Sequence, residues 1–176
     1  MKKLTPELKK EIVALTIQTY QEEQEKQQKL IHNKKLRNTK LLLINYRGLV
    51  AHSESAIFEA SQCDEDVYDI LSLMSGGKSE QELYVESIKK SAGRTKLIIE
   101  HIKKALIDYQ MYCVRSKKEE EMRRCRTITR LYIVPEPWEV QDIATDENVD
   151  VSTVYKDVKE AIRRLTPRIF GIDGLI

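Results

Sequence analysis

Residues 7 to 134 contain no proline. Pro6 and Pro135 bracket that stretch, and only Gly48, Gly76, Gly77 and Gly93 interrupt it. Helix interiors tolerate neither residue well, whereas β-hairpins draw on glycine-rich turns. The one Asp-Gly pair, Asp173-Gly174, lies at the C-terminal end, and no Asn-Gly occurs. The chain is therefore expected to be all-α. Its 176 residues suffice for one domain or two small ones. At 41% hydrophobic and 33% charged it is apolar enough to build a core. No apolar run approaches the ~18 residues of a membrane-spanning helix. The basic start, Met1-Lys2-Lys3, has no apolar block behind it and so is not a secretory signal. Cys63, Cys113 and Cys125 are odd in number and scattered, which fits a reducing compartment. These features predict a soluble cytoplasmic protein.

Thr5 can cap a first helix, with Pro6 in its first turn and Leu8, Ile12 and Leu15 along one face. The wholly polar run from Gln21 to Lys29 reads either as a solvated extension of that helix or as a frayed linker. A second helix is expected over Lys34–Ser61, with Leu42, Leu43, Tyr46 and Leu49 on its apolar stripe. A short third helix follows from Asp64 to Met74, and Gly76-Gly77 marks the boundary between a helical N-terminal region, 1–77, and the remainder, 78–176. Capping boxes at Ser79–Glu82 and Ser116–Glu119 predict two more helices. The first is long, running to Arg115 with Gly93 as a point of kinking. The second ends at Pro135 and Pro137.

The segment from Pro137 to Leu165 has the pattern of a helix-turn-helix. Ala144 supplies the small residue at the helix crossing, Val149 and Val151 anchor the turn, and Ser152 caps the second helix. Val154, Val158, Ala161, Ile162 and Leu165 form one stripe of that helix. Its other face carries Thr153, Tyr155, Lys156, Lys159, Arg163 and Arg164. In this motif the second helix enters the major groove of double-stranded DNA. Thr153, Tyr155, Lys156 and Lys159 then face bases, and Arg163 and Arg164 suit phosphates. Charge agrees. Residues 152–168 hold five cations against two acids, whereas residues 136–150 hold six acids and no cation. The acidic stretch should turn away from the DNA backbone, towards a protein partner. Residues 89–130, with 13 cations and five acids, offer a second phosphate-contacting surface.

Val151-Ser152-Thr153-Val154-Tyr155-Lys156-Asp157-Val158, with Ala161-Ile162-Arg163-Arg164-Leu165, resembles the promoter-reading region four of sigma factors. Leu36-Arg37-Asn38-Thr39-Lys40-Leu41-Leu42-Leu43-Ile44-Asn45-Tyr46-Arg47 resembles the N-terminal part of the ArpU/RinA-like phage regulators. The resemblance spans roughly residues 30–165. It implies a transcriptional activator of phage or prophage genes in the bacterial nucleoid, touching host RNA polymerase, with Tyr155, Lys156 and Lys159 at DNA-reading positions. Tyr155 departs from the basic residue frequent there, and no sigma region two is recognisable. Such readers bind as dimers on two half-sites, and the long helix from Ser79 to Arg115 is the expected dimer element.

Other signals dissolve on inspection. Gly77-Lys78-Ser79 imitates the end of a phosphate-binding loop, but Ser72 stands where that pattern needs glycine. Cys113 and Cys125 lack partners at metal-ligand spacing and read as buried thiols. His32, His52 and His101 stand apart from any nucleophile and acid set. Trp138 reads as a core anchor. Neither enzyme activity, cofactor nor metal is expected. Two other readings stand beside the regulator: a DNA-packaging recognition subunit of a phage, and a protein-binding adaptor or anti-sigma module using the acidic stretch.

Overall fold

The computed structural model describes residues 5–55 and 92–171. Among these residues every regular element is helical: α1 (Pro6–Ser55), α2 (Ala92–Ser116), α3 (Glu119–Ile128), α4 (Val140–Asp146) and α5 (Val151–Phe170). A π-helical turn over Thr129–Ile133 extends α3. The expected helix at 64–74, the boundary at 77/78 and the capping box at 79–82 lie outside the described residues.

The two N-terminal helices anticipated from sequence are one helix of 50 residues. Thr5 Oγ1 accepts from the Leu8 amide, and Pro6 sits where its missing N–H costs nothing. No residue between 21 and 34 breaks the helix. Gln, Glu and Lys are good helix formers, and neighbours one turn apart pair: Gln18 with Glu22, Gln27 with Glu23, and Lys29 with Glu25. The Leu8, Ile12 and Leu15 stripe meets no neighbour among the described residues and stays exposed.

The C-terminal half of α1 builds the main core. Leu42, Leu43, Tyr46 and Leu49 are buried against Ile98, Ile102, Ala105, Tyr109 and Cys113 of α2 and Ala161, Ile162, Leu165 and Ile169 of α5. Thr39 and Thr166 place their hydroxyls 3.0 Å apart between α1 and α5, fully buried. Arg47 donates to the Leu131 carbonyl at 3.0 Å, tying α1 to the π-helical turn.

Two helix ends depart from expectation. Ser116 closes α2 rather than opening α3. Its hydroxyl bonds back to the Cys113 carbonyl, and the reversal is made by Lys117 at φ 54°. The N-cap of α3 is Lys118, which gives no side-chain cap. Pro167 does not end its helix; α5 continues to Phe170 and stops at Gly171 at φ 84°. A proline in the last turn forfeits one backbone bond, and burial of Leu165 and Ile169 on either side of it outweighs that loss.

Candidate nucleic-acid interface

Helices α4 and α5 meet through a second, smaller core. Ile143, Ala144 and Val154 are buried, and Leu131, Val140, Val149 and Val151 pack around them. The connection is four residues, 147–150. The Glu147 amide donates to Ile143, Asn148 to Thr145, and Val149 to the Ala144 carbonyl at 2.9 Å. Asn148 takes the left-handed conformation, φ 50°, which asparagine adopts more readily than most residues. Ala144 thus lies at the contact between the helices. A larger side chain there would push α4 off α5.

The N-cap of α5 is Asp150, not Ser152. The backbone carbonyl of Asp150 accepts from Thr153 and Val154, and its side chain makes no capping bond. Ser152 falls inside the first turn and is exposed. The apolar period of the helix then sorts its faces. Val154, Ala161, Ile162, Leu165 and Ile169 turn inwards. Ser152, Tyr155, Lys156, Lys159 and Arg163 turn outwards, with Tyr155 61% exposed. Thr153 is half-buried at the edge. Lys156 and Lys159 have no ion-pair partner among the described residues, whereas Arg163 approaches Glu160 on its own helix at 3.8 Å.

Arg164 stands apart from that row. Its guanidinium reaches Glu121 at 3.4 Å and lies over the Tyr112 ring at 5.5 Å. Arg168, one turn on, covers Tyr112 and Tyr109. Arg164 joins α5 to α2 and α3, and Arg168 joins it to α2.

A network absent from the sequence reading fixes the angle of α5. Asp157, buried on the inner side of the helix, accepts from Arg123 at 2.6 and 3.3 Å and from Arg124 at 3.4 Å. Arg124 also donates to Glu121 at 2.7 Å. Glu147, in the connection, takes Arg126 at 2.6 Å and Arg130 at 2.9 Å. The hydrogen bond from Arg126 holds the Glu147 carboxyl below its ordinary range, against the opposing effect of burial. The same bond, with a second that Arg126 donates to Glu119, raises the pKa of the guanidinium further. The surplus of cations expected over 89–130 as a phosphate surface therefore loses Arg123, Arg124, Arg126 and Arg130 to acids of the chain itself. Only the spacing of the arginines was visible in sequence. Their partners Asp157 and Glu147 lie too far along the chain for a local pattern.

Trp138 is not a core residue. It is partly exposed, with the Arg130 guanidinium 4.4 Å above its ring. In the acidic stretch, Glu136, Glu139 and Asp142 are exposed, while Asp146 and Glu147 are held by Arg130. Cys113 is fully buried, and burial pushes its thiol up to about 11; Cys125 is also raised, by the same cause. Among the described residues no three His, Cys, Asp or Glu side chains converge as metal ligands. No helix described is long and apolar enough to cross a membrane.

Compared with family models, curated proteins and solved structures, the chain matches none.

Proposed function

We propose that this chain is a sequence-specific binder of double-stranded DNA and a transcriptional regulator, with α4 and α5 serving as its helix-turn-helix. The observation that carries the reading is the outer face of α5. Ser152, Tyr155, Lys156, Lys159 and Arg163 form one exposed row over three turns, and its two lysines are unpaired within the described residues. Arg123, Arg124, Arg126 and Arg130 of α3 and its extension are paired with acids of the chain, whereas among the described residues Lys156 and Lys159 on this face are not. The tight α4–α5 connection and the small residue Ala144 at the crossing support the same reading. So does the resemblance of residues 151–165 to sigma region four, and that of residues 36–47 to the ArpU/RinA-like regulators suggests phage or prophage genes as targets. The exposed acids Glu136, Glu139 and Asp142 would face away from DNA, where a polymerase contact is to be sought.

In this reading Tyr155, Lys156 and Lys159 reach base edges, with Ser152 and Thr153 at the groove entrance. Arg163 takes a phosphate. Arg164, held by Glu121 and Tyr112, supports the helix and contributes only its free edge to the backbone.

Selection from randomised duplexes, followed by titration at several salt concentrations, tests the proposal. An enriched motif is expected. Lys156→Ala should lose about 1–3 kcal/mol on that motif and little on random DNA. Arg163→Ala should weaken both alike and reduce the salt slope by about one. Failure to bind any duplex at low salt would overturn the reading, and would favour the protein-binding alternative.

A further inference from the structure

The first five turns and more of α1 stand clear of the bundle. Every described residue from Thr5 to Ile31 is exposed, including Val13, Ile17, Tyr20 and Ile31 at 46–65%. A helix of about 26 residues projecting some 39 Å is mostly stabilised by what its apolar face packs on. Its sequence holds one such face. Val13, Ile17, Tyr20, Gln24, Gln27 and Ile31 recur at alternating spacings of four and three. At 3.6 residues per turn they fall within a strip about 80° wide. The strip contains no charge. The next positions outwards, Lys10 and Lys34, are charged and close it at both ends.

We infer that this strip is the seam of an antiparallel homodimer, formed by α1 of two copies of the chain. Three features select that occupant. First, the strip keeps the same spacing in both directions, although its residue types differ. Reversed about residue 22, Val13 falls opposite Ile31, Ile17 opposite Gln27, and Tyr20 opposite Gln24, so a two-fold axis satisfies it. Second, the strip lies in line with Lys35, Asn38, Leu42 and Leu49, all buried on the side of α1 that meets the bundle. A parallel partner would drive its own bundle into the space already filled by α2 and α5. An antiparallel partner sets the two bundles at opposite ends. Third, four large apolar residues and two glutamines from each copy would bury on the order of 1,000 Å² in total, at the lower limit of specific interfaces. The expected association is therefore in the micromolar range.

Among the described residues neither other exposed stripe competes. Leu8, Ile12 and Leu15 lie on the far side of α1, and that face turns charged at Glu22, Lys26 and Lys29. The inner face of α2, from Ile98 to Cys113, is used within the chain, and its outer stripe of Ile107, Met111 and Val114 is three residues long. The inference places the seam on α1, where the sequence had suggested the helix from Ser79 to Arg115, and it stands whether or not the protein binds DNA.

Sedimentation equilibrium of the full chain tests it. A dimer is expected, and Ile17→Glu should weaken it at least tenfold, whereas Ile12→Glu on the far face should leave it unchanged. Both sites are exposed in the monomer, and far-ultraviolet circular dichroism should confirm that both variants keep the fold. A spin label carried by an unnatural amino acid at position 10 reads the orientation. Antiparallel pairing puts the two labels more than about 25 Å apart, and parallel pairing brings them within about 15 Å. A monomer at 100 µM (roughly ten times the expected dissociation constant), a dimer insensitive to Ile17→Glu, or a short label distance would each overturn the inference.

Discussion

Asp157 shows how one residue changes meaning between sequence and structure. In sequence it is an acid that dilutes a basic helix. In the fold its carboxylate, 3% exposed, takes two arginines of α3 and sets the roll of α5. Removing one partner of a buried ion pair costs more than the pair is worth, because the other charge stays behind. Asp157→Ala strands Arg123, while Arg124 keeps Glu121, and a loss of about 3 kcal/mol is expected from urea denaturation. Glu147 makes a related statement about pH. Its folded pKa lies below the ordinary glutamate range, through the hydrogen bond from Arg126 first and the charge of Arg130 after it. Its stabilisation is complete above the ordinary carboxylate range and is lost as pH falls through the lower, folded value. Stability measured from pH 6 downwards should therefore decline below about 4.5, and Glu147→Gln should flatten that decline. The outward row on α5 was legible in sequence because a helix repeats every 3.6 residues. The ion pairs were not, since Arg123 and Asp157 stand 34 residues apart.

At the scale of elements, local pattern located helices better than it located their ends. The core stripes of α1 and α2 emerged from spacing alone, as did Ile143 and Ala144 in α4. Three termini did not. The Ser116–Glu119 pattern satisfied a capping rule, yet Ser116 bonds backwards to Cys113 because Lys117 already reverses the chain. Pro167 satisfied a stop rule that tertiary burial overrides. Ser152 satisfied a capping rule, yet Asp150 is the N-cap of α5; the polar run at 21–29, open in sequence between a helix extension and a linker, is helix. Contact between α1 and α5 is a case where no sequence rule applies. Thr39 has the Lys35 carbonyl and Thr166 within reach, and Thr166 has the Ile162 carbonyl. Two hydroxyl protons serve three contacts, so each threonine keeps a partner when the other is removed. Thr39→Val and Thr166→Val should each cost about 1 kcal/mol in thermal melts, and the double variant about the sum of the two. A double variant no worse than either single would mean that the inter-helix bond, rather than the two local ones, holds the protons.

The whole molecule is organised around α5, which belongs to both cores. Val154, in its first turn, packs with Ile143 and Ala144, while Ala161, Ile162, Leu165 and Ile169 pack with α1 and α2. The face proposed to meet DNA is thereby built into the main bundle and not hung from it. The same arrangement decides what a division at the glycine pair would do. Residues 78–176 alone would lose Leu42, Leu43 and Leu49, each fully buried, together with the nearly buried Tyr46. Burying one such leucine is worth about 1.5–3 kcal/mol, and a whole domain is stable by only about 5–15 kcal/mol. Loss of four such side chains consumes that margin. The fragment 78–176 is therefore expected to melt without a cooperative transition by circular dichroism, and to regain one when a peptide spanning residues 34–55 is added. The sigma-like segment can be recognised on its own in sequence, but the apolar surface of α5 that keeps it folded is completed by residues a hundred positions earlier. A sharp, independent melt of the fragment would show instead that α3, α4 and α5 suffice, and that α1 is an attachment to a domain already stable without it.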